Sequence, residues 1–150
     1  MSHLKRYLHS HCLAYVQERI QAAQEAIQTA QRSANEETKS SAGDKYETGR
    51  AMAQLEIEKH SAQLTESLKL RQVLDHISAD DVWEVVRVGS VVMTNQGNFY
   101  LAISAGQFFF EGNTYFTLSP ASPLGQMLMG LKVQASFVFN KKEYLIQEVL

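Results

Sequence analysis

Asp44 and Glu47 are the residues of this chain whose types and spacing best suit chemistry. Positions three apart on a helix share a face, so both carboxylates can approach one ion. Hard oxygen ligands suit Mg²⁺, which keeps several of its waters and needs only one or two protein carboxylates. The same Asp-x-x-Glu spacing also makes a capping box, and acids near a helix N-terminus complement the helix dipole. Spacing alone leaves both roles open. Lys45 and Arg50 stand close in sequence and dilute the local negative field.

The elements that must position this pair read as two long helices. Up to about residue 77 the chain has no Pro, no Phe and only Gly43 and Gly49, with Ala, Gln, Glu and Leu abundant. Val16, Ile20, Ala23, Ile27 and Ala30 follow a 4-3-4-3 spacing, the a/d seam of a coiled coil. On the return segment Ala53, Ile57, Leu64 and Leu68 keep a common face, which His60 and Ser61 interrupt. The polar stretch 35–43 contains Ser40-Ser41-Ala42-Gly43, a bend. Two helices with a short polar link favour an antiparallel hairpin, each arm of roughly 30 residues extending about 45–50 Å. Asp44 and Glu47 then sit at the tip of a thin rod, an arrangement suited to chemistry inside a partner. Heptads alone do not fix strand orientation, and a parallel dimer satisfies the same seam.

Beyond residues 78–81 the character reverses. All seven Phe, the only Trp (Trp83), both Pro and six of eight Gly lie there. The expected division is a coiled-coil hairpin over 1–78 and a small domain over 79–150. Residues 83–88 and 90–94 are β-prone, and Asn95-Gln96-Gly97-Asn98 turns into a strand at 99–103. Strands at 107–110 and 114–118 flank Glu111-Gly112-Asn113; Pro120 and Pro123 bracket a loop before a short helix at 124–129, ending at Gly130. A last hairpin pairs 132–139 with 143–149. Five or six strands with one short helix give an α+β class overall.

Three clusters carry two readings each. Phe108-Phe109-Phe110 is either a docking surface or a half-covered strand with alternating faces. His9, His11 and Cys12, with His3 upstream, match no standard zinc spacing, and packing at the hairpin base is the alternative to a metal. Ser122-Pro123-Leu124-Gly125 is either a partner contact or a turn feeding the short helix.

Composition sets limits. With 14 basic and 16 acidic residues there is no global basic field for free nucleic acid. The single Cys12 cannot form an intrachain disulfide, which points to a reducing compartment. No apolar run approaches the ~20 residues needed to span a bilayer, and residues 1–6 lack a signal-peptide core. A soluble cytoplasmic protein is expected, with no membrane partner.

The second half resembles the C-terminal domain of the bacterial Gre transcription factors. The resemblance lies in Gly89-Ser90-Val91-Val92, in Ser119-Pro120-Ala121-Ser122-Pro123-Leu124-Gly125-Gln126-Met127-Leu128-Met129-Gly130-Leu131-Lys132-Val133, and in Glu143-Tyr144-Leu145-Ile146-Gln147-Glu148-Val149. In that family the middle segment typically reads Ser-Pro-(Ile/Leu)-(Ala/Gly)-x-Ala-Leu-(Ile/Leu)-Gly-Lys-x-Val. The family architecture is an N-terminal antiparallel coiled-coil hairpin followed by an FKBP-like α+β domain. An FKBP-like fold does not itself imply prolyl isomerase activity. The first half matches the family mainly in architecture. Its tip motif commonly reads Gly-Asp-x-x-Glu-Asn, and this chain has Gly43-Asp44-Lys45-Tyr46-Glu47 with Thr48 in the Asn place.

The resemblance implies an accessory factor rather than an independent enzyme. Gre factors bind bacterial RNA polymerase, the globular domain docking at the rim of the secondary channel while the hairpin enters it. Tip acids help hold a second Mg²⁺ at the polymerase active site, and cleavage of backtracked RNA follows. By that likeness Asp44 and Glu47 are the catalytic helpers and the shared Mg²⁺ ligands, and contact with nascent RNA is indirect. Ser122, Pro123, Leu124 and Gly125 are the partner-binding candidates, the chain is a monomer, and it holds no cofactor of its own. Thr48 and the basic neighbours motivate an alternative, a Gre-like channel regulator without cleavage. A coiled-coil interaction module, motivated by the seam at 16–30, is a third reading from another class.

Overall fold

The computed structural model describes the backbone of residues 2–39 and 43–150, and side chains over 3–36 and 47–150. Two long helices, α1 (Ser2–Lys39) and α2 (Gly43–Asp75), precede β1 (Val91–Thr94), β2 (Gly97–Leu101), β3 (Gly106–Phe110), β4 (Asn113–Leu118), a short α3 (Pro123–Leu128), β5 (Ser136–Phe139) and β6 (Lys142–Val149). The class is α+β. The chain forms two compact units, one made of Met1–Ala14 with Gln72–Leu150 and the other of Tyr15–Arg71.

In the second unit the helices run antiparallel. Arg71 Nη1 donates to Gln17 Oε1 at 2.9 Å, residues 19–26 line a groove with 60–70, and residues 26–33 line another with 49–60. Val16, Ile20, Ala23 and Ala30 are buried, as the a/d spacing requires, and Ile27 is half-buried. The return seam differs from the sequence expectation at Leu68 and at His60. Leu68 is 46% exposed, while Ser67 is buried and His60 half-buried. A step of four from His60 to Leu64 obliges a step of three next, so the stripe runs 53-57-60-64-67. His60 thus belongs to the seam rather than interrupting it. Small and polar residues at these positions make it a narrow contact.

In the first unit the six strands form one sheet in the order β3-β4-β2-β1-β6-β5, antiparallel except for the parallel β2–β4 pair. Alternation along β2 sends Phe99 and Leu101 to one face and Tyr100 to the other. The first face carries the core: Val86, Val92, Phe99, Leu101, Leu128, Tyr144, Ile146 and Val149, with Leu124 of α3 packed against them. Tight turns close two hairpins, with positive φ at Glu111 (47°) and Gly112 (85°), and at Asn140 (51°) and Lys141 (65°). Both pairs fit the twist-matched two-residue turn.

Residues 83–88, expected as a strand, are not one. Only Val86 of that run is buried, its N–H donating to Leu131 O and its carbonyl accepting from Gly130 N, both at 2.9 Å. Arg87 then turns back, with Ser90 N donating to Arg87 O. One anchoring residue between two bends cannot extend a ladder. The expected strand over 132–139 likewise starts only at Ser136, because Ala135 N donates to Lys132 O in a turn.

The opposite sheet face is covered by the first turns of α1. Leu4, Leu8, Cys12, Val16 and Ile20 are all buried at successive steps of four. Each such step moves the stripe about 40° around the helix, so the buried face rotates before the 3-4 alternation takes over. That rotation coincides with the change of unit at Ala14. Two leucines of α2 test the register. Leu74→Ala, at a position 0% exposed, should lower stability by about 2–5 kcal/mol. Leu68→Ala should stay within about 0.5 kcal/mol in the same urea titration.

Candidate functional site

Both acids lie in the opening turns of α2, three residues apart and therefore on one face. Glu47 and Thr48 are exposed, and so is Arg50. The side chains of Asp44 and Lys45, and residues 40–42 of the bend, lie outside the described residues. Gly43 is the first helical residue of α2. A solvated carboxylate at an open helix end can take a hydrated divalent ion without large desolvation, and gains orientation only when a partner supplies further ligands. Among the described residues no three His, Cys, Asp or Glu side chains gather into a metal group.

The four partner-binding candidates divide by burial. Ser122 is the N-cap of α3: its Oγ accepts from Gly125 N at 3.2 Å and donates to Ser119 O at 2.6 Å. Gly125 is buried, and a Cβ there would lie 2.2 Å from Ser119 O. Leu124 is half-buried against the core. Pro123, at the start of the helix where no N–H is needed, is exposed. Ser122 and Gly125 therefore build the turn, leaving Pro123 and the exposed Met127 on its outer side.

The root of α1 holds a set of contacts that sequence spacing did not assign. Lys5 is 1% exposed and donates to the Asp81 carbonyl; burial lowers its pKa, against the opposing pull of Asp81 and Asp80. Arg6 pairs with Asp80 at 2.6 Å in solvent, a contact of little energetic weight. Tyr7 OH donates to Phe109 O at 2.7 Å, satisfying a carbonyl on edge strand β3. His9 Nδ1 lies 3.1 Å from Tyr100 OH. His11 packs on Tyr7 and Phe108 with ring centroids at 4.3 and 5.1 Å, and Tyr7 meets Phe110 at 4.8 Å. Cys12 is wholly buried, and burial pushes its thiol up to about 12, which makes it inert. His9 meets Tyr100, His11 packs on aromatic rings and Cys12 is buried, so the packing reading describes them. The signal was the unbroken step of four from Leu4 to Val16, which extends burial to the start of the helix.

Phe108-Phe109-Phe110 alternates. Phe108 and Phe110 face α1, and Phe109 is 62% exposed on the other side. A second apolar area surrounds Trp83, over which the Arg87 guanidinium sits 4.1 Å from the ring centre, with Val82, Val85, Val88 and Met129 lining a groove. No helix among the described residues is long and apolar enough to cross a membrane. No protein-family model matches the chain, and neither a curated protein nor a solved structure does.

Gly125→Ala should cost about 1–3 kcal/mol through overpacking against the Ser119 carbonyl, and Ser122→Ala about 1 kcal/mol through the lost cap. Pro123→Ala and Met127→Ala, at exposed positions, should stay within about 0.5 kcal/mol in the same thermal melts. That separation lets surface variants report binding without a stability artefact.

Proposed function

We propose that this chain is a Gre-like accessory factor of bacterial RNA polymerase, acting in the cytoplasm through the polymerase secondary channel. The observation that supports this most is the pairing of two features in one chain. An antiparallel hairpin opens its return helix with Asp44 and Glu47, and an α+β unit carries the Gre-like segments at 89–92, 119–133 and 143–149. The polymerase supplies the main active site, and Asp44 and Glu47 add carboxylate oxygens there. A second Mg²⁺ held by them would activate the attacking water and stabilise charge on the phosphate during cleavage of backtracked RNA. Pro123 and the outer side of the α3 turn are the part of the candidate docking segment left free to meet the polymerase.

Thr48 in the Asn place, with Lys45 and Arg50 beside the acids, favours a second reading. The factor would then occupy the channel and alter initiation or pausing without hydrolysis. Polymerase binding and competition with Gre factors are common to both.

Stalled, backtracked complexes distinguish them. Wild-type chain should accelerate RNA cleavage, and Asp44→Asn or Glu47→Gln should slow it by about 10–100-fold, the range typical when a group supporting a bound metal is removed. Both variants should keep far-UV circular dichroism unchanged. Intact RNA with bound wild type would leave only the regulator reading. Sedimentation should give a monomer at micromolar concentration, whereas an obligate dimer with no polymerase affinity would return the chain to a coiled-coil interaction module.

A further inference from the structure

Among the contacts at the root of α1, one joins two titratable groups across the sheet face. His9 is half-buried, and its Nδ1 lies 3.1 Å from the hydroxyl of Tyr100, a β2 residue with no exposure at all. A neutral His9 with its proton on Nε2 accepts the phenolic hydrogen at Nδ1, and both groups are satisfied. Protonation changes this. Nδ1 then carries its own hydrogen and can only donate, so the phenolic hydrogen loses its acceptor at a fully buried position. The imidazolium must also carry its charge where water reaches it poorly.

The remaining groups facing this pair come from each surrounding element. Asp75, the last residue of α2, attracts a charge on His9. Cys12 on α1 raises the Tyr100 pKa further, after burial, so the phenol stays protonated. Lys5, one turn before His9, directs its ammonium to the Asp81 carbonyl. We propose that His9, Tyr100 and Asp75 form a proton-sensitive latch, which fastens the root of α1 to the sheet while His9 is neutral and loosens it when His9 takes up a proton.

The direction follows from burial. Burial lowers the His9 pKa and outweighs the opposing field of Asp75. A detached root therefore binds more protons than a docked one. Docking is unaffected above the ordinary imidazole value and weakens as pH falls through about 6.5. The loss levels out once the pH passes below the docked value of His9.

Two measurements on the full chain test the latch. A histidine NMR titration should show His9 as the Nε2–H tautomer, with a midpoint below the ordinary imidazole value of about 6.5. Tyr100→Phe should move that midpoint up, by removing the donor that favours the neutral ring. Asp75→Asn should move it down. Hydrogen-exchange protection factors for residues 8–13 should fall between about pH 7.5 and about pH 5.5, by no more than about tenfold per pH unit for one linked proton. Residues 18–33 should keep theirs, and His9→Gln should flatten the dependence at the root. A His9 midpoint at or above the ordinary imidazole value of about 6.5 overturns the latch, whether or not the Gln variant folds. So does root protection that is the same at both pH values, or a pH dependence that survives His9→Gln.

Discussion

A six-stranded sheet with two apolar faces needs cover on both, and this chain has little helix to spare for the task. α3 supplies six residues to one face. The other depends on the first turns of α1, which cover Tyr100 and reach Phe108 and Phe110 through Tyr7 and His11. Leu8, Cys12, Val91 and Tyr100 are each fully buried. Burying one large apolar side chain contributes about 1.5–3 kcal/mol. A few of them amount to the whole net stability of an ordinary domain, about 5–15 kcal/mol. The root of α1 is therefore part of what makes the sheet unit fold, and its polar contacts with Asp81, Phe109 and Tyr100 fix where it docks.

The hairpin unit obeys a different constraint. Its seam is one stripe wide and uses Ala23, Ala30, Ala53 and Ser67 where a bundle would place leucines. Small side chains bury less area and yield less stabilisation per turn. In exchange the two helices remain a slender pair whose outer faces are free. Asp44 and Glu47 lie in the opening turns of the second of these helices.

Much of this was legible in the residues, and the exceptions are instructive. The 4-3-4-3 spacing at 16–30 reports burial directly, because a helix repeats its faces at fixed intervals. Glu111-Gly112 and Asn140-Lys141 announce their turns through Gly112 and Asn140, residues that tolerate positive φ. Residues 83–88 mislead, since Val-rich alternation describes propensity and cannot report that Val86 alone bonds backbone beyond the local turn, at Gly130 and Leu131. Leu68 misleads because its hydrophobicity outweighs its phase, whereas Ser67 takes the buried position. Among the site residues, Ser122 and Gly125 show their roles only when the Ser119 carbonyl closes over them. Asp44 and Glu47 are legible as a pair by spacing alone.

The functional proposal therefore turns on delivery of the acidic pair to a polymerase. The most direct measurement is solution binding of the full chain to core bacterial RNA polymerase, with a Gre factor added as competitor. Saturable one-to-one binding that the Gre factor displaces is predicted. No binding, or binding that persists under excess Gre factor, would contradict the proposal.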